Sequence, residues 1–168
     1  MRADVATIRI EGGVLGELYA RHADESLRLA YLLTGDPALA EDLVQDAFVR
    51  LAGRLLHLRD PGGFHAYLRK TIVNLSRSYF RRRAVERRYM ERQAGPPPVE
   101  PDDLSDRERI RRALTTLPIA QRTAIVLRYF EDLSEAQTAE LMRRNPAAVK
   151  SLVSRAMGTL RTTLGEDR

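Results

Sequence analysis

The chain has 168 residues and a mass of 19.1 kDa, and its 28 basic side chains exceed its 23 acidic side chains by five. Twenty-six of the basic residues are Arg, and the other two are Lys70 and Lys150. The length suits one ordinary domain or two small ones, a hydrophobic content of 43% suffices for packed cores, and the absence of Cys excludes disulfides, thiol catalysis and Cys-ligated metal sites.

Apolar stripes predict three helices in the first half of the chain. The first ends near Thr34-Gly35, and Asp36-Pro37 then has the form of an N-cap followed by Pro at the first helical position. The second stripe consists of Leu39, Leu43, Ala47, Leu51 and Leu55. After a break at Asp60–Gly63, the third consists of Phe64, Leu68, Ile72, Leu75 and Tyr79.

The second predicted helix carries an acidic patch, with no basic residue between Gly35 and Val49. Acids in the first turns of a helix are favoured by its dipole, which accounts for Glu41 more readily than for Gln45 and Asp46. Two interpretations therefore stay open at this point: compensation of the helix dipole, and a surface for a basic protein partner.

The third predicted helix has a polar strip opposite its apolar stripe and ends in a run of arginines. The strip consists of Lys70, Asn74, Arg77, Ser78 and Arg81. An amide, a hydroxyl and cations on one face suit contact with a nucleic-acid strand. The alternative is a solvated basic helix end, and Phe64 and Tyr79 are expected in the core because they fall on the apolar stripe.

A Pro-rich acidic segment, QAGPPPVEPDD, divides the chain because its prolines cannot continue a helix or a central strand. The sequence thus predicts an all-α fold of two small helical domains, residues 11–92 and 105–165, joined by a flexible Pro-rich acidic linker over 93–104.

In the second half, Ser105 with Glu108 and Ser134 with Gln137 match the helix capping box, and Asn145-Pro146 is a further N-cap signal. A short helix from Ser134, a turn at Arg143–Asn145 and a longer helix from Pro146 have the spacing of a helix-turn-helix. Outward positions on the longer helix hold Lys150, Ser151, Ser154 and Arg155, which are donor types that reach phosphates and base edges. An ordinary αα-hairpin is the alternative.

No catalytic motif is present. His22, His57 and His65 are scattered, and the sequence has no metalloprotease helix motif, phosphate-binding loop or nucleophile elbow. We therefore expect a protein that is not an enzyme and needs no cofactor. No apolar run approaches the roughly 20 residues of a membrane span, so we also expect it to be soluble and cytoplasmic.

With these residues laid out, the chain resembles a bacterial RNA polymerase sigma factor of the sigma-70 family, extracytoplasmic-function (ECF) group. The resemblance extends from about Leu15 to Leu164 and rests on three strings in this order. They are RLAYLLTGDPALAEDLVQDAFVRL, FHAYLRKTIVNLSRSYFRRR, and LPIAQRTAIVLRYFEDLSEAQTAELM with AAVKSLVSRAMGTLR.

The resemblance implies three sets of contact residues. Asp42, Leu43, Gln45 and Asp46 would bind the clamp helices of the polymerase β′ subunit. The promoter −10 element would be bound by Arg59, Phe64, Lys70, Asn74, Arg77, Arg81, Arg82 and Arg83. The −35 element would be bound as duplex by Arg144, Lys150, Ser151, Ser154 and Arg155. The implied partners are core RNA polymerase (β′ clamp helices and β subunit), promoter DNA and an anti-sigma factor.

Two alternatives stay open beside a sigma factor that directs promoter-specific initiation. One is a stand-alone helix-turn-helix regulator, and the other is a sigma-like decoy that binds polymerase without opening promoters. Arg143-Arg144 and Leu152 depart from the family's usual residues, which keeps the decoy open. Since the family usually has a small residue in this turn, we expect either that one of the two arginines takes a positive φ or that the turn differs from the family's.

Overall fold

The computed structural model describes residues 5–54, 63–90 and 105–165, with side chains described over 13–54, 63–86 and 105–165. Seven α-helices and one π-helical segment, but no strand, occur in these ranges, so the all-α prediction is confirmed for them. The helices are α1 (Val5–Thr34), α2 (Pro37–Ala52), α3 (Phe64–Met90), α4 (Asp106–Thr116), α5 (Ile119–Ile125), α6 (Glu135–Met142) and α7 (Pro146–Gly165), and the π-helical segment is Val126–Phe130.

The corner between α1 and α2 has the helix end and the helix N-cap that the sequence predicts. Gly35 adopts a positive φ of 72°, and its N–H donates to the Tyr31 carbonyl at 2.7 Å. The Asp36 carboxylate then accepts from the Leu39 N–H at 3.1 Å, which satisfies one of the free donors at the start of α2. Pro37 begins the helix, so the predicted N-cap and Pro pair is confirmed.

The described residues up to Leu75 form one compact unit, in which α1 and α2 pack together. Most of the predicted stripe residues are buried in its core, and an aromatic contact joins Phe48 to Phe64 with 5.9 Å between ring centroids. Tyr19 differs from a core residue because it is partly exposed, although its ring lies 4.9 Å from that of Phe48. Leu55 lies outside the described residues.

The described residues from Ser76 onward form the second compact unit. Its buried residues come mainly from four helices and the π-helical segment, and they include Leu114, Val126, Leu127, Ala139, Met142, Val149 and Ala156. Helix α7 contacts α4, α5 and α6, so the longest C-terminal helix is held from three sides. Tyr79, which belongs to the stripe on α3, is only half-buried here.

The segment between α5 and α6 was not predicted from the sequence. The Glu131 N–H donates to the Val126 carbonyl at 3.1 Å, which is the wider spacing of a π-helix. Asp132 follows with a φ of 51°, and the chain then reaches Ser134, the N-cap of α6. This turn sets where the helix-turn-helix begins.

The two compact units meet in sequence at Leu75 and Ser76, inside α3. The predicted domains, 11–92 and 105–165, divide the chain instead at 93–104, which lies outside the described residues. That division stays a prediction. Across the ranges the structure describes, every helix is too short or too polar to cross a bilayer.

Candidate functional site

The acidic face of α2, which we define as Asp42, Gln45 and Asp46, is accessible. Asp42 and Gln45 are exposed, while Asp46 forms an ion pair with Arg50, with 3.1 Å between Asp46 Oδ2 and Arg50 Nη2. Because both partners are well exposed, the pair contributes little to stability and is easily exchanged for another partner. Leu43 departs from the expectation, since it is 7% exposed and packs in the core.

Val49 extends the acidic face, and the sequence analysis did not predict it as a contact residue. It lies three and four residues beyond Asp46 and Gln45, and 71% of it is exposed, the largest exposure among the big apolar side chains of the described residues. An exposed β-branched residue beside carboxylates offers apolar contact area within a charged surface. The i+3 and i+4 spacing was the signal that placed it on this face.

The polar strip of α3, which is Lys70, Asn74, Arg77, Ser78 and Arg81, lies along one side of the helix as its spacing predicts. Lys70 and Arg81 are exposed, and the three residues between them are half-buried. Arg82 and Arg83 are exposed beyond the strip, and Arg83 Nη1 donates to the Tyr79 hydroxyl at 2.7 Å. The helix therefore presents three consecutive exposed cations at Arg81–Arg83.

Phe64, which is assigned to the −10 element, is not part of this accessible surface. Phe64 is 1% exposed, with its ring against those of Phe48 and His22, so its side chain offers DNA no free face and serves to pack the start of α3. Arg59 lies outside the described residues. Tyr67 lies three residues before Lys70 and is half-exposed, which places an accessible aromatic ring at the start of the strip.

Arg77 makes a contact that its helix spacing does not predict. Its Nη1 donates to the Met142 backbone carbonyl at 3.2 Å, at the end of α6. Burial lowers the pKa of Arg77, and the neighbouring charges of Arg144, Arg143 and Arg81 lower it further. An arginine from the strip is thereby brought beside the arginines of the turn that follows Met142.

The turn between α6 and α7 has the geometry of a helix-turn-helix. Ser134 and Gln137 form the reciprocal capping box that was predicted. Helix α6 ends in a Schellman motif, because the Arg144 N–H donates to the Ala139 carbonyl and the Arg143 N–H to the Glu140 carbonyl. Arg143 adopts a φ of 53° and ψ of 50°, which confirms the expected positive φ in this turn.

Helix α7 presents the predicted donors on one face. The Asn145 Oδ1 accepts from the Ala148 N–H at 2.7 Å and fixes the first turn of α7, as predicted. Buried Val149 and Ala156 hold the opposite side of the helix. The outward residues are exposed Lys150, Ser154 and Arg155 and half-buried Ser151, and Arg144 is exposed on the turn. Arg155 Nη2 donates to the Ser151 Oγ at 2.8 Å, so this pair is pre-oriented along the face.

The buried residue Arg122 supports this domain and was not singled out in the sequence. It is 7% exposed, and its guanidinium donates to the carbonyls of Leu114 at 2.9 Å, Thr115 at 2.8 Å and Leu117 at 3.3 Å. Burial lowers its pKa. These bonds satisfy the free carbonyls at the end of α4 and fix the corner on which α7 packs.

Comparison with known proteins gives matches in both halves of the chain. A family model described as Sigma-70 region 2 matches residues 18–86, and one described as Sigma-70, region 4 matches residues 107–160. The acidic face and the polar strip fall within the first match, and the helix-turn-helix falls within the second.

Relatives match over most of their length. The RNA polymerase sigma-E factor of Streptomyces avermitilis is 35% identical over 153 residues, covering 88% of this chain and 84% of the relative. The RNA polymerase sigma-E factor of Streptomyces coelicolor is 33% identical over 150 residues, covering 88% and 85%. The ECF RNA polymerase sigma factor SigE of Mycolicibacterium smegmatis is 31% identical over 158 residues, covering 89% and 61%.

Solved structures have the same fold. CnrH in complex with the cytosolic domain of CnrY aligns with a TM-score of 0.64 at 25% identity, over 92% of this chain and 89% of that chain. The sigma factor RpoE of Bartonella quintana, in complex with the anti-sigma factor NepR, aligns with a TM-score of 0.72 at 24% identity, over 91% and 98%.

Proposed function

Because this chain belongs to the extracytoplasmic-function group of the sigma-70 family and is a sigma factor that directs transcription initiation, we propose a role for each of its three surfaces. The acidic face of α2 binds core RNA polymerase, the polar strip of α3 binds the −10 element, and the outward face of α7 binds the −35 element. The observation that carries the proposal is that each surface is accessible and lies in the corresponding family match.

The acidic face suits a basic, mostly helical partner such as the β′ clamp helices. Its carboxylates lie on a helix whose start is fixed by the Asp36 cap, so little backbone freedom is lost on binding. Val49 supplies apolar area beside the carboxylates. Leu43 supports this surface indirectly, because its buried side chain packs α2 against the core.

The polar strip suits a separated DNA strand. Lys70 and Arg81 contact phosphates at its two ends, and the Asn74 amide between them pairs with a base edge. Tyr67 offers a ring on which a base stacks, a contact worth about 1–3 kcal/mol. Opening the duplex costs a few kcal/mol per unstacked base, which these contacts and the polymerase must supply.

The face of α7 suits a duplex major groove. Lys150, Ser154 and Arg155 are exposed together at the N-terminal half of the helix, the part that reaches base edges in helix-turn-helix proteins. Arg144, which is exposed on the preceding turn, contacts a phosphate in the proposal. No catalytic step belongs to this chain in the proposal, since the polymerase carries out the chemistry, and the protein acts in the cytoplasm where the polymerase is.

Run-off transcription with core polymerase and genomic fragments from the source organism tests the proposal. Adding the protein is expected to produce discrete new transcripts, whose start sites identify both promoter elements. Stable polymerase binding without transcripts would instead identify a decoy. DNA binding without any polymerase binding would identify a stand-alone regulator.

A further inference from the structure

The fold brings together two of the three histidines that are scattered in the sequence. The His22 and His65 rings are stacked, with 5.3 Å between their centroids and 9° between their planes. Glu25 lies three residues after His22 on the same side of α1, and its Oε2 atom lies 3.3 Å from the His65 Nε2 atom. We call His22, Glu25 and His65 the imidazole–carboxylate cluster, and all three belong to the first compact unit.

The cluster contains the donor types that bind a transition-metal ion. Two imidazoles and one carboxylate hold zinc with an open fourth position in some enzymes and hold iron in others. In a tetrahedral site with bonds of about 2.1 Å, two ligand atoms lie about 3.4 Å apart. The separation between Glu25 Oε2 and His65 Nε2 matches this value. An ordinary ion pair has the same spacing, so the third residue decides between the two interpretations.

His22 is available as the third donor. Burial lowers its pKa below the ordinary value of 6.5, His65 and Arg21 lower it further, and Glu25 opposes them. The ring is therefore neutral at neutral pH, which is the form that binds metals. Because a ring nitrogen binds in the plane of its ring, two parallel rings do not reach one ion. Metal binding thus requires the half-buried His22 ring to rotate, and the χ2 torsion of histidine is broad enough for this.

The cluster lies on two helices that the core holds firmly. Ala23 and Ser26, next to the cluster on α1, are buried, and so is Phe64, which precedes His65 on α3. The Phe64 ring lies 5.6 Å from the His22 ring, centroid to centroid, and forms an apolar wall on that side. Ligands on packed helices are positioned more precisely than ligands on loops, and an apolar wall limits the access of water to the ion.

We propose that His22, Glu25 and His65 form a binding site for one divalent transition-metal ion of the zinc type, with a fourth position open to solvent. Imidazole donors select such an ion over Ca²⁺ and Mg²⁺, which prefer oxygen ligands. The site goes beyond the proposed function, because none of its residues belongs to the acidic face, the polar strip or the outward face of α7. A bound ion links α1 to α3 and stabilises the first compact unit.

The test is the affinity of the full chain for Zn²⁺, measured by competition with a chromogenic zinc chelator. The chain is used without a histidine tag, which would itself bind the ion. One ion should bind per chain. His22→Gln, Glu25→Gln and His65→Gln should each weaken binding more than about tenfold, since even the loss of a hydrogen-bond partner behind a ligand costs about 10–100-fold. His57→Gln, which removes the third histidine, and Glu17→Gln, at an exposed acid of α1, are the matched controls.

Thermal melts give a second readout, which separates loss of the site from loss of the fold. Zn²⁺ should raise the melting temperature of the unchanged chain and of both controls, because an ion that binds only the folded state stabilises it. The three cluster variants should melt cooperatively without that rise. Arg21→Gln removes a positive charge that acts on His22 and should tighten Zn²⁺ binding.

Three results would overturn the proposal. They are the absence of saturable binding of one ion, equal weakening in His57→Gln and His65→Gln, and weakening in Glu25→Gln and His65→Gln without any in His22→Gln. The last result would leave an ion pair with adventitious affinity for the metal. The assays contain no polymerase and no promoter, so their outcome is independent of run-off transcription.

Discussion

Arg143 holds a left-handed backbone where a β-carbon costs about 1–2 kcal/mol, and part of this is offset because glycine is freer in the unfolded chain. Arg143→Gly is therefore expected to raise the free energy of unfolding by about 0.5–1 kcal/mol, measured by urea denaturation. Arg144→Gly is the control, because Arg144 has no positive φ and the change should destabilise. An equal effect of both variants would contradict the strain at Arg143.

Glu108 carries the clearest pH dependence. Hydrogen bonds from Arg111 lower its pKa from 4.5 to about 2, with Arg112 assisting and burial opposing. A lowered pKa means that the folded state binds this proton less readily than the unfolded state. The stabilisation is thus fully present above pH 4.5 and is lost as the pH falls toward 2.

The expected result is that Glu108→Gln lowers the melting temperature at neutral pH but much less near the acid end of that range. Thermal melts across the pH series measure this. Asp24→Asn, at an exposed acid of α1, is the control. A melting difference for Glu108→Gln that stays constant with pH would exclude the ion-pair explanation.

In the proposed assignment, Arg155 is an exposed residue of α7 that contacts the −35 element. Arg155→Ala should weaken −35 duplex binding by about 1–3 kcal/mol if the side chain contacts a base, and should relax specificity at one position. Competition binding with single-base variants of the duplex measures both. Arg161→Ala, farther along α7, is the control. An equal loss of affinity in that variant would mean that Arg155 contributes only nonspecific positive charge and contacts no base.

The start of a helix was predictable from the sequence where a nearby side chain caps it. Asp36-Pro37, Ser134 with Gln137, and Asn145-Pro146 each place a side-chain oxygen over free N–H groups, a contact within three residues. Ser105 caps α4 as predicted, but the Glu108 side chain turns to Arg111 and Arg112. The π-helical segment and Asp132 were not predictable, because no local signal in the sequence marks a widened helical turn.

Ser134 belongs to the helix that supports α7, so its cap is testable through α6. Ser134→Ala removes an acceptor of the capping box and should lower the free energy of unfolding by about 1 kcal/mol. Gln137→Ala, which leaves the Ser134 bond to the Gln137 N–H, should cost less. Chemical denaturation ranks the two, and the reverse order would contradict the assigned cap.

The proposed contact between the acidic face of α2 and polymerase depends on the charge of several residues together. Asp42→Arg with Asp46→Arg places cations against a basic partner and should weaken polymerase binding at least about tenfold, since like charges across an interface cost several kcal/mol. Glu17→Arg with Asp24→Arg makes the same charge change on exposed positions of α1 and is the control. Equal weakening by both pairs, in a binding assay with core polymerase, would remove the acidic face from the interface.

Contacts between residues far apart in the sequence could not be predicted, whereas the outward face of each helix could. Helical spacing correctly placed Lys70 and Arg81 outward on α3, and Lys150 and Arg155 outward on α7. Spacing also favoured Phe64 for the core, against the role implied by the family resemblance, and the structure agrees with spacing. The bond from Arg77 to a carbonyl 65 residues away has no pattern in sequence, since any backbone carbonyl is an equal acceptor.

The two lysines of this chain are Lys70 and Lys150, and each is exposed on one of the proposed DNA surfaces. Guanidinium groups keep their charge near neutral pH, whereas acetylation of a lysine amine removes it. An acetylating enzyme or an amine-reactive reagent therefore finds one lysine on the strip of α3 and one on α7. Lysine acetylation of this sigma factor would remove one charge from each proposed DNA surface and leave the acidic face of α2 chemically unchanged.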